Sequence, residues 1–343
     1  MLRHFVRALV LTLLLGFVLS FGIPSAGQRA FNLADCAQVG FSVEEDFVTQ
    51  GPTPADGNSI ISDGDLLGPQ GQICARNRNL LAAFGAAAPL PDLGLDAADI
   101  ISLERELVAF STELDDPGGR FTAGDLLTTA GAIIPNVALL AAFQVAGDLG
   151  LDGIHVLGDE QAIVAFFEFA QRQGRGFWVQ NPDALPAALK ERGVDLWFTT
   201  EGKGTAADGT IFLDGDLLSA ATGAIVLAND VLLAAPIPAG LPDRGVDFGL
   251  DAISGNRRGD RSTLGLSTEI RYTDSGTSFT DGDVLAFGGS IRTLNGDLVT
   301  PFEPRARMLG LDALTYPGRT EPVYVIYLPA LMHNWQREKR GAG

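Results

Sequence analysis

"TIFLDGDLLSA", from Thr210 to Ala220, decides how this chain is read, because its centre stands at three other places. The four copies are IISDGDLL (Ile60–Leu67), RFTAGDLL (Arg120–Leu127), IFLDGDLL (Ile211–Leu218) and SFTDGDVL (Ser278–Leu285). Their core aspartates, Asp65, Asp125, Asp216 and Asp283, are 60, 91 and 67 residues apart. Three more landmarks travel with each copy. Upstream stands a glutamate after an apolar residue and a hydroxyl or small apolar pair: FSVE ending at Glu44, FSTE at Glu113, FTTE at Glu201 and LSTE at Glu269. Downstream come an asparagine (Asn77, Asn136, Asn229, Asn295) and a closing GLDA or GLDG with Asp96, Asp152, Asp251 and Asp312. Four landmarks in one order, four times over, define a repeat array.

Each unit reads as short strands. LVAFSTEL and DLWFTTE are apolar and aromatic, while FLDGDLLSA and AIVLANDVLLAA are apolar runs broken by Asp-Gly or Asn-Asp turn signals. About four strands of roughly five residues per unit match the content of a propeller blade. The 42 glycines fit such an array better than a helical solenoid, whose units would show a 3.6-residue period. The expected fold is therefore all-β: a four- or five-bladed β-propeller, with tandem small β-sandwiches as the alternative. The units span 41–97, 110–153, 198–252 and 266–313 within a single domain over 28–335, followed by a polar tail over 336–343. EPVYVIYLPAL supplies a closing strand over 322–330 that would pair with the first unit and remove an exposed edge.

The pattern FSTE, DGDLL, N and GLDA, running from about Phe41 to Met332, resembles the repeats of uncharacterised exported bacterial proteins that are themselves propeller-like. The closing VYVIYLPALM (Val323–Met332) is similar to the C-terminal tails of such proteins. The resemblance implies export and a fold class and brings no activity with it.

Between the second and third cores lie about 30 extra residues, over 155–195. IHVLGDEQAIVAFFEF can be laid on DIISLERELVAFSTEL as a hairpin opening a degenerate fifth blade, and this reading is preferred. The alternative is a helix over Asp159–Gln173, with apolar residues at 162, 163, 166, 167 and 170 and Gly174 as its cap. PDALPAALKERG reads as a short helix with Lys190 and Arg192 in its last turn and Gly193 after it.

The N-terminus, MLRHFVRALVLTLLLGFVLSFGIPSAG, has Arg3 and Arg7 ahead of an apolar run and small residues after it. It reads as a signal peptide over 1–27, the run being short for a membrane span. Its removal takes the net charge from −18 to −20, which disfavours nucleic acid and anionic membranes as partners. No other segment is long and apolar enough to span a bilayer. Cys36 and Cys74 are the two cysteines, and in an exported chain they are expected to form a disulfide. The LADC ending at Cys36 fails as a lipoprotein box because Asp35 stands where a small residue is needed.

Catalytic constellations are missing. Histidine occurs at His4, His155 and His333 alone, which excludes the usual histidine-rich zinc centres and leaves no nucleophile-elbow context for a Ser-His-Asp triad. No phosphate-cradling loop or CxxC pair occurs. The patterned polar groups are the carboxylates Glu44, Asp65, Asp96, Glu113, Asp125, Asp152, Glu201, Asp216, Asp251, Glu269, Asp283 and Asp312. Hard oxygen ligands of this kind suit Ca²⁺. They equally suit turns, since aspartate beside glycine accepts backbone N–H bonds and asparagine tolerates left-handed geometry. Against calcium, Ala123 replaces the first core aspartate in the second copy and no EF-hand loop is present. RRGD (Arg257–Asp260) reads as a solvated turn, and Trp178 and Trp197 as core residues of apolar strands. The expected function is a noncatalytic exported or surface scaffold binding an extracellular protein or carbohydrate. The alternatives are a calcium-dependent propeller hydrolase of a lactone, ester or glycoside, and a structural component of an envelope or matrix.

Overall fold

The computed structural model describes residues 32–85, 92–233, 246–273, 276 and 278–317. The expected signal peptide, the strand expected over 322–330, His333, Trp335 and the tail lie outside them. Among the described residues short strands dominate, in four four-stranded antiparallel sheets and three two-stranded ribbons. Sheet 1 has the order Leu314–Thr315, Gly40–Phe41, Leu66–Leu67 and Ile73–Ala75. Sheet 2 comprises Ala98–Ser102, Leu107–Phe110, Leu126–Thr128 and Ile133–Ile134. Sheet 3 comprises Ile154–Leu157, Asp195–Phe198, Leu217–Ser219 and Ala224–Leu227, and sheet 4 Ile253–Ser254, Gly265–Leu266, Val284–Ala286 and Ile291–Thr293.

The repeat has one register throughout. The apolar residue opening each FSTE-like motif pairs with the last leucine of the following core: Phe41 with Leu67, Phe110 with Leu127, Phe198 with Leu218 and Leu266 with Leu285. On its other side it pairs with the strand after GLDA or GLDG, at Leu314, Ala98, Ile154 and Ile253. A sequence unit, running from FSTE to GLDA, therefore holds strands two to four of one sheet and leads into strand one of the next. The last unit delivers its strand to sheet 1, where Leu314–Thr315 lies against Gly40–Phe41.

Four apolar cores lie between successive sheets. Leu66, Cys74 and Leu80 meet Ile100, Phe110 and Leu127 between sheets 1 and 2. Leu126 and Ile134 meet Val156 and Phe198 between sheets 2 and 3, and Leu217 and Trp197 meet Ile253 and Leu266 between sheets 3 and 4. The fourth core joins Val284 of sheet 4 and Leu298 of the helical turn after it to Phe41 and Leu67 of sheet 1. First strands neighbour one another in the same cyclic order. Cys36 and Cys74 form the expected disulfide, which ties the turn Leu33–Cys36 to sheet 1.

The hairpin preferred for the stretch after His155 does not form. Ile154–Leu157 is instead the first strand of sheet 3, and helices Glu160–Gln173, Arg175–Gln180 and Ala184–Arg192 separate it from the second. Asp159 decides the matter locally, accepting from Gln161 N at 2.9 Å and Ala162 N at 3.4 Å and so capping the first helix. Ile163, Phe166, Phe167 and Ala170 then bury one face against Ala132 and Ile134 of sheet 2, a helical stripe that an alternating strand would split between two faces. Trp178 is buried as expected, but on a helix and not a strand. The short helix ending at Arg192 with left-handed Gly193 is present as read. Among the described residues no helix is long and apolar enough to cross a membrane.

Candidate functional site: carboxylates gathered at the centre

The twelve patterned carboxylates separate into three sets. Asp65, Asp125, Asp216 and Asp283 are buried inside their own sheets as hydrogen-bond acceptors. In each, Oδ2 accepts from the backbone N–H three residues earlier (Ser62, Thr122, Leu213, Thr280) and Oδ1 from the N–H of the repeat asparagine. One side chain thus closes the turn and caps the helical turn that the asparagine begins. Asp65 also meets Arg76 at 2.6 Å. Asp125 meets Arg175 at 2.6 Å, so an inserted helix supplies to sheet 2 the cation that sheet 1 carries in its own unit. These four act as structural staples.

The asparagines serve the same purpose, and not through left-handed geometry. Each begins a helical turn. Asn136 Nδ2 donates to Gly124 O and Gly150 O while its Oδ1 accepts from Leu149 N, and Asn295 repeats the pattern on Gly282 O, Leu309 O and Leu309 N. The core glycine is needed for this approach: a Cβ on Gly64 would stand 2.3 Å from Asn77 Nδ2, and one on Gly282 2.1 Å from Asn295 Nδ2.

The aspartates of GLDA and GLDG behave differently. Asp96, Asp152, Asp251 and Asp312 stand just before the four neighbouring first strands and are 8, 5, 5 and 7 % exposed. The Oδ2 atom of each is buried with no hydrogen-bond partner among the described residues. Burial drives all four carboxyls well above the ordinary range, and other carboxylates add to it. Asp152 feels Asp96 and Asp312, and Asp251 feels Asp152, Asp312 and Asp96. Four acids distant in sequence are thus electrostatic neighbours.

Glu44, Glu113, Glu201 and Glu269 surround them on the solvent side, each exposed. Every one lies across the glycine of its own sheet's GLD motif. A Cβ on Gly94 would come within 2.5 Å of the Glu113 carboxyl carbon, and Gly150, Gly249 and Gly310 are crowded likewise by Glu201, Glu269 and Glu44. Gly94, Gly150 and Gly249 are also left-handed. Burial, then Asp281, Glu45 and Glu269, push Glu44 up to about 7. Burial, then Asp63 and Asp92, do the same to Glu113. Ligand oxygens of Glu44, Asp251 and Asp312 all lie within 4.8 Å of one another.

Two features escaped the sequence reading. Asp92, Asp148 and Asp247 stand four residues before three of the GLD aspartates and enlarge the acidic rim; the shared form D-x-G-L-D was the available signal, lost only at Met308 in the fourth copy. The first hydroxyl of the STE motif links adjacent sheets, with Ser42 Oγ donating to Leu95 O, Ser111 Oγ to Leu151 O and Ser267 Oγ to Leu311 O. The last of these joins sheet 4 to sheet 1.

His155 is fully buried, with Nε2 3.1 Å from Asn256 O and Nδ1 3.3 Å from Asp99 Oδ2. Arg257 of RRGD, read as part of a solvated turn, points inward to Val156 O, Ile100 O and Asp99, while Asp260 caps the turn Arg261–Thr263. Burial works against the charge on Asp99, but Arg257 and His155 outweigh it and hold its carboxyl below the ordinary range. This set is internally neutralised; the GLD set is not. Against models of known protein families, curated proteins and solved structures, the chain finds no match.

Proposed function

We propose that the chain is an exported four-bladed β-propeller that serves as a noncatalytic binding scaffold, with the carboxylate-rich end of its centre as the working face. The cyclic succession of cores, the return of Leu314–Thr315 to sheet 1 and the Ser267 link support four blades over a row of sandwiches. Export rests on the N-terminal apolar stretch and on the disulfide. The observation carrying the binding reading is the convergence: the units direct their GLD aspartates and STE glutamates to one place, whereas the DGD aspartates and the asparagines are spent on hydrogen bonds within their own sheets. A face of this charge selects a cationic partner, and for an exported scaffold that is an extracellular protein with a basic surface.

The test is binding by the full-length chain to polylysine as a basic probe, at low and high salt. Saturable binding that weakens with salt and with neutralisation of the exposed rim (Asp92→Asn, Asp148→Asn, Glu201→Gln) is expected. Binding indifferent to those substitutions would overturn the assignment of the face. Turnover of a lactone, ester or glycoside that disappears in Asp251→Asn would overturn the noncatalytic reading.

A further inference from the structure

We infer that the centre of the protein is a site for one calcium ion, with Asp251, Asp312 and Glu44 as its protein ligands and the buried carboxylates of Asp96 and Asp152 adding to the negative field around it. An acidic cluster alone does not make a cation site, because exposed carboxylates repel one another and remain solvated. Here four aspartates are more than nine-tenths buried, and each keeps one oxygen that no protein donor satisfies. Leaving a buried acceptor unmade costs about 1–3 kcal/mol, and more if it is charged. The same chain satisfies both oxygens of every DGD aspartate, so it has the means to pair a buried carboxylate and does so where the role is structural. At the GLD aspartates the equivalent donors are missing in all four sheets at once.

The charges nearby are of the wrong sign to compensate. The charged groups acting on Asp251 are Asp152, Asp312, Asp96 and Glu44, and Arg257, which reaches Val156 O and Ile100 O on the first strands, is committed to those carbonyls and Asp99. The donor set is entirely carboxylate oxygen, which selects a hard cation over zinc or copper. Oxygen atoms spread over no more than 4.8 Å match an ion that binds at roughly 2.3–2.6 Å, so that two ligands on opposite sides stand about 5 Å apart. Magnesium, bound at about 2.0–2.1 Å in a strict octahedron, fits a set drawn from separate sheets less well. The ion would touch sheet 1 through Glu44 and Asp312 and sheet 4 through Asp251, the two sheets joined by the returning chain end.

This inference rests on the convergence that also supports the binding face, but its test is separate. The EDTA-stripped, full-length chain is titrated with calcium chloride by calorimetry, beside Asp251→Asn, Asp312→Asn and the rim variant Asp92→Asn. One ion per chain is expected, with affinity reduced at least about tenfold in Asp251→Asn and Asp312→Asn and unchanged in Asp92→Asn. Should the asparagine variants fail to fold, crystals of the unaltered chain soaked in terbium chloride decide the matter through an anomalous peak within bonding distance of Asp251 and Asp312. No binding by the unaltered chain up to about 10 mM calcium would overturn the site. So would native-like Asp251→Asn and Asp312→Asn proteins that bind as the parent does, or a terbium peak found only elsewhere. Polylysine binding is measured in EDTA with the rim variants, which leave Asp251, Asp312 and Glu44 intact, so failure of the calcium inference and failure of the binding face are distinguishable.

Discussion

Ending the chain at Met308 instead of Pro317 removes the strand that the fourth unit delivers to sheet 1. The lost residues include Leu309, Leu311, Leu314 and Tyr316, which are 4, 0, 1 and 7 % exposed and sit in the core between sheets 4 and 1. At about 1.5–3 kcal/mol for each large apolar side chain, the deletion forfeits roughly 6–12 kcal/mol, before counting the pairing of Gly40–Phe41 with Leu314–Thr315. A domain is stable by only about 5–15 kcal/mol in total, so the shortened chain should not hold its native state. Both chains would be compared by urea melts, secretion yield and hydrogen exchange, with the chain ending at Pro317 as reference because it keeps every described residue. In a cyclic arrangement protection should fall in sheets 2 and 3 as well, although the deletion touches neither. If the Met308 chain melts within about 2 kcal/mol of the reference, or loses protection only in sheets 1 and 4, the cyclic reasoning is wrong and the sheets behave as a row.

Replacing Cys36 and Cys74 by serine opens a loop of sequence separation 38, for which chain entropy gives a loss of about 4 kcal/mol; a urea midpoint unchanged by the double substitution would contradict this. Asn136→Ala leaves Gly124 O, Gly150 O and Leu149 N without their partner, and a loss of about 3 kcal/mol or more is expected in the same melt. Stability in EDTA should fall as pH rises. Asp247 is held up to about 7 by burial and by its hydrogen bond with Asp214, Glu113 to about 7 and Asp63 to about 6 by burial and neighbouring acids. Folded values above unfolded ones mean that these groups stabilise the protein below about pH 4 and lose that contribution as pH climbs to about 7. Asp116, lowered by its hydrogen bonds with Arg120, acts oppositely and only in stronger acid. A melting midpoint that is flat or rising between about pH 5 and 8 would refute the assignment.

Much of this architecture could be read from the chain alone, for a physical reason. Asp65, Asn77 and their counterparts survive between copies because each makes several backbone hydrogen bonds that no other residue type reproduces. The phase of the repeat was not legible. Recurrence reveals a period but not where within it a sheet begins, and the strand after GLDA gave no sign of belonging to the following sheet. The strand expected over 322–330 lies outside the described residues, and the place beside Gly40–Phe41 is taken by Leu314–Thr315. The inserted stretch was misread because Ile163, Val164, Phe166 and Phe167 form an apolar run similar to that of Leu107–Phe110; the capping role of Asp159 was the better guide. At the candidate site the acids themselves were in view, but their division into paired staples and unpaired central groups depends on donors contributed by distant residues.

The one-strand offset between unit and sheet also governs when the molecule can finish folding. A chain emerging from its N-terminus exposes Gly40–Phe41 early, yet their partner on the inner side is among the last described residues to appear. Sheets 2, 3 and 4 have all four strands as soon as their own units are made, while sheet 1 stays one strand short until Leu314 arrives. A chain made from its N-terminus therefore cannot lock sheet 1 into its final form before the fourth unit is complete.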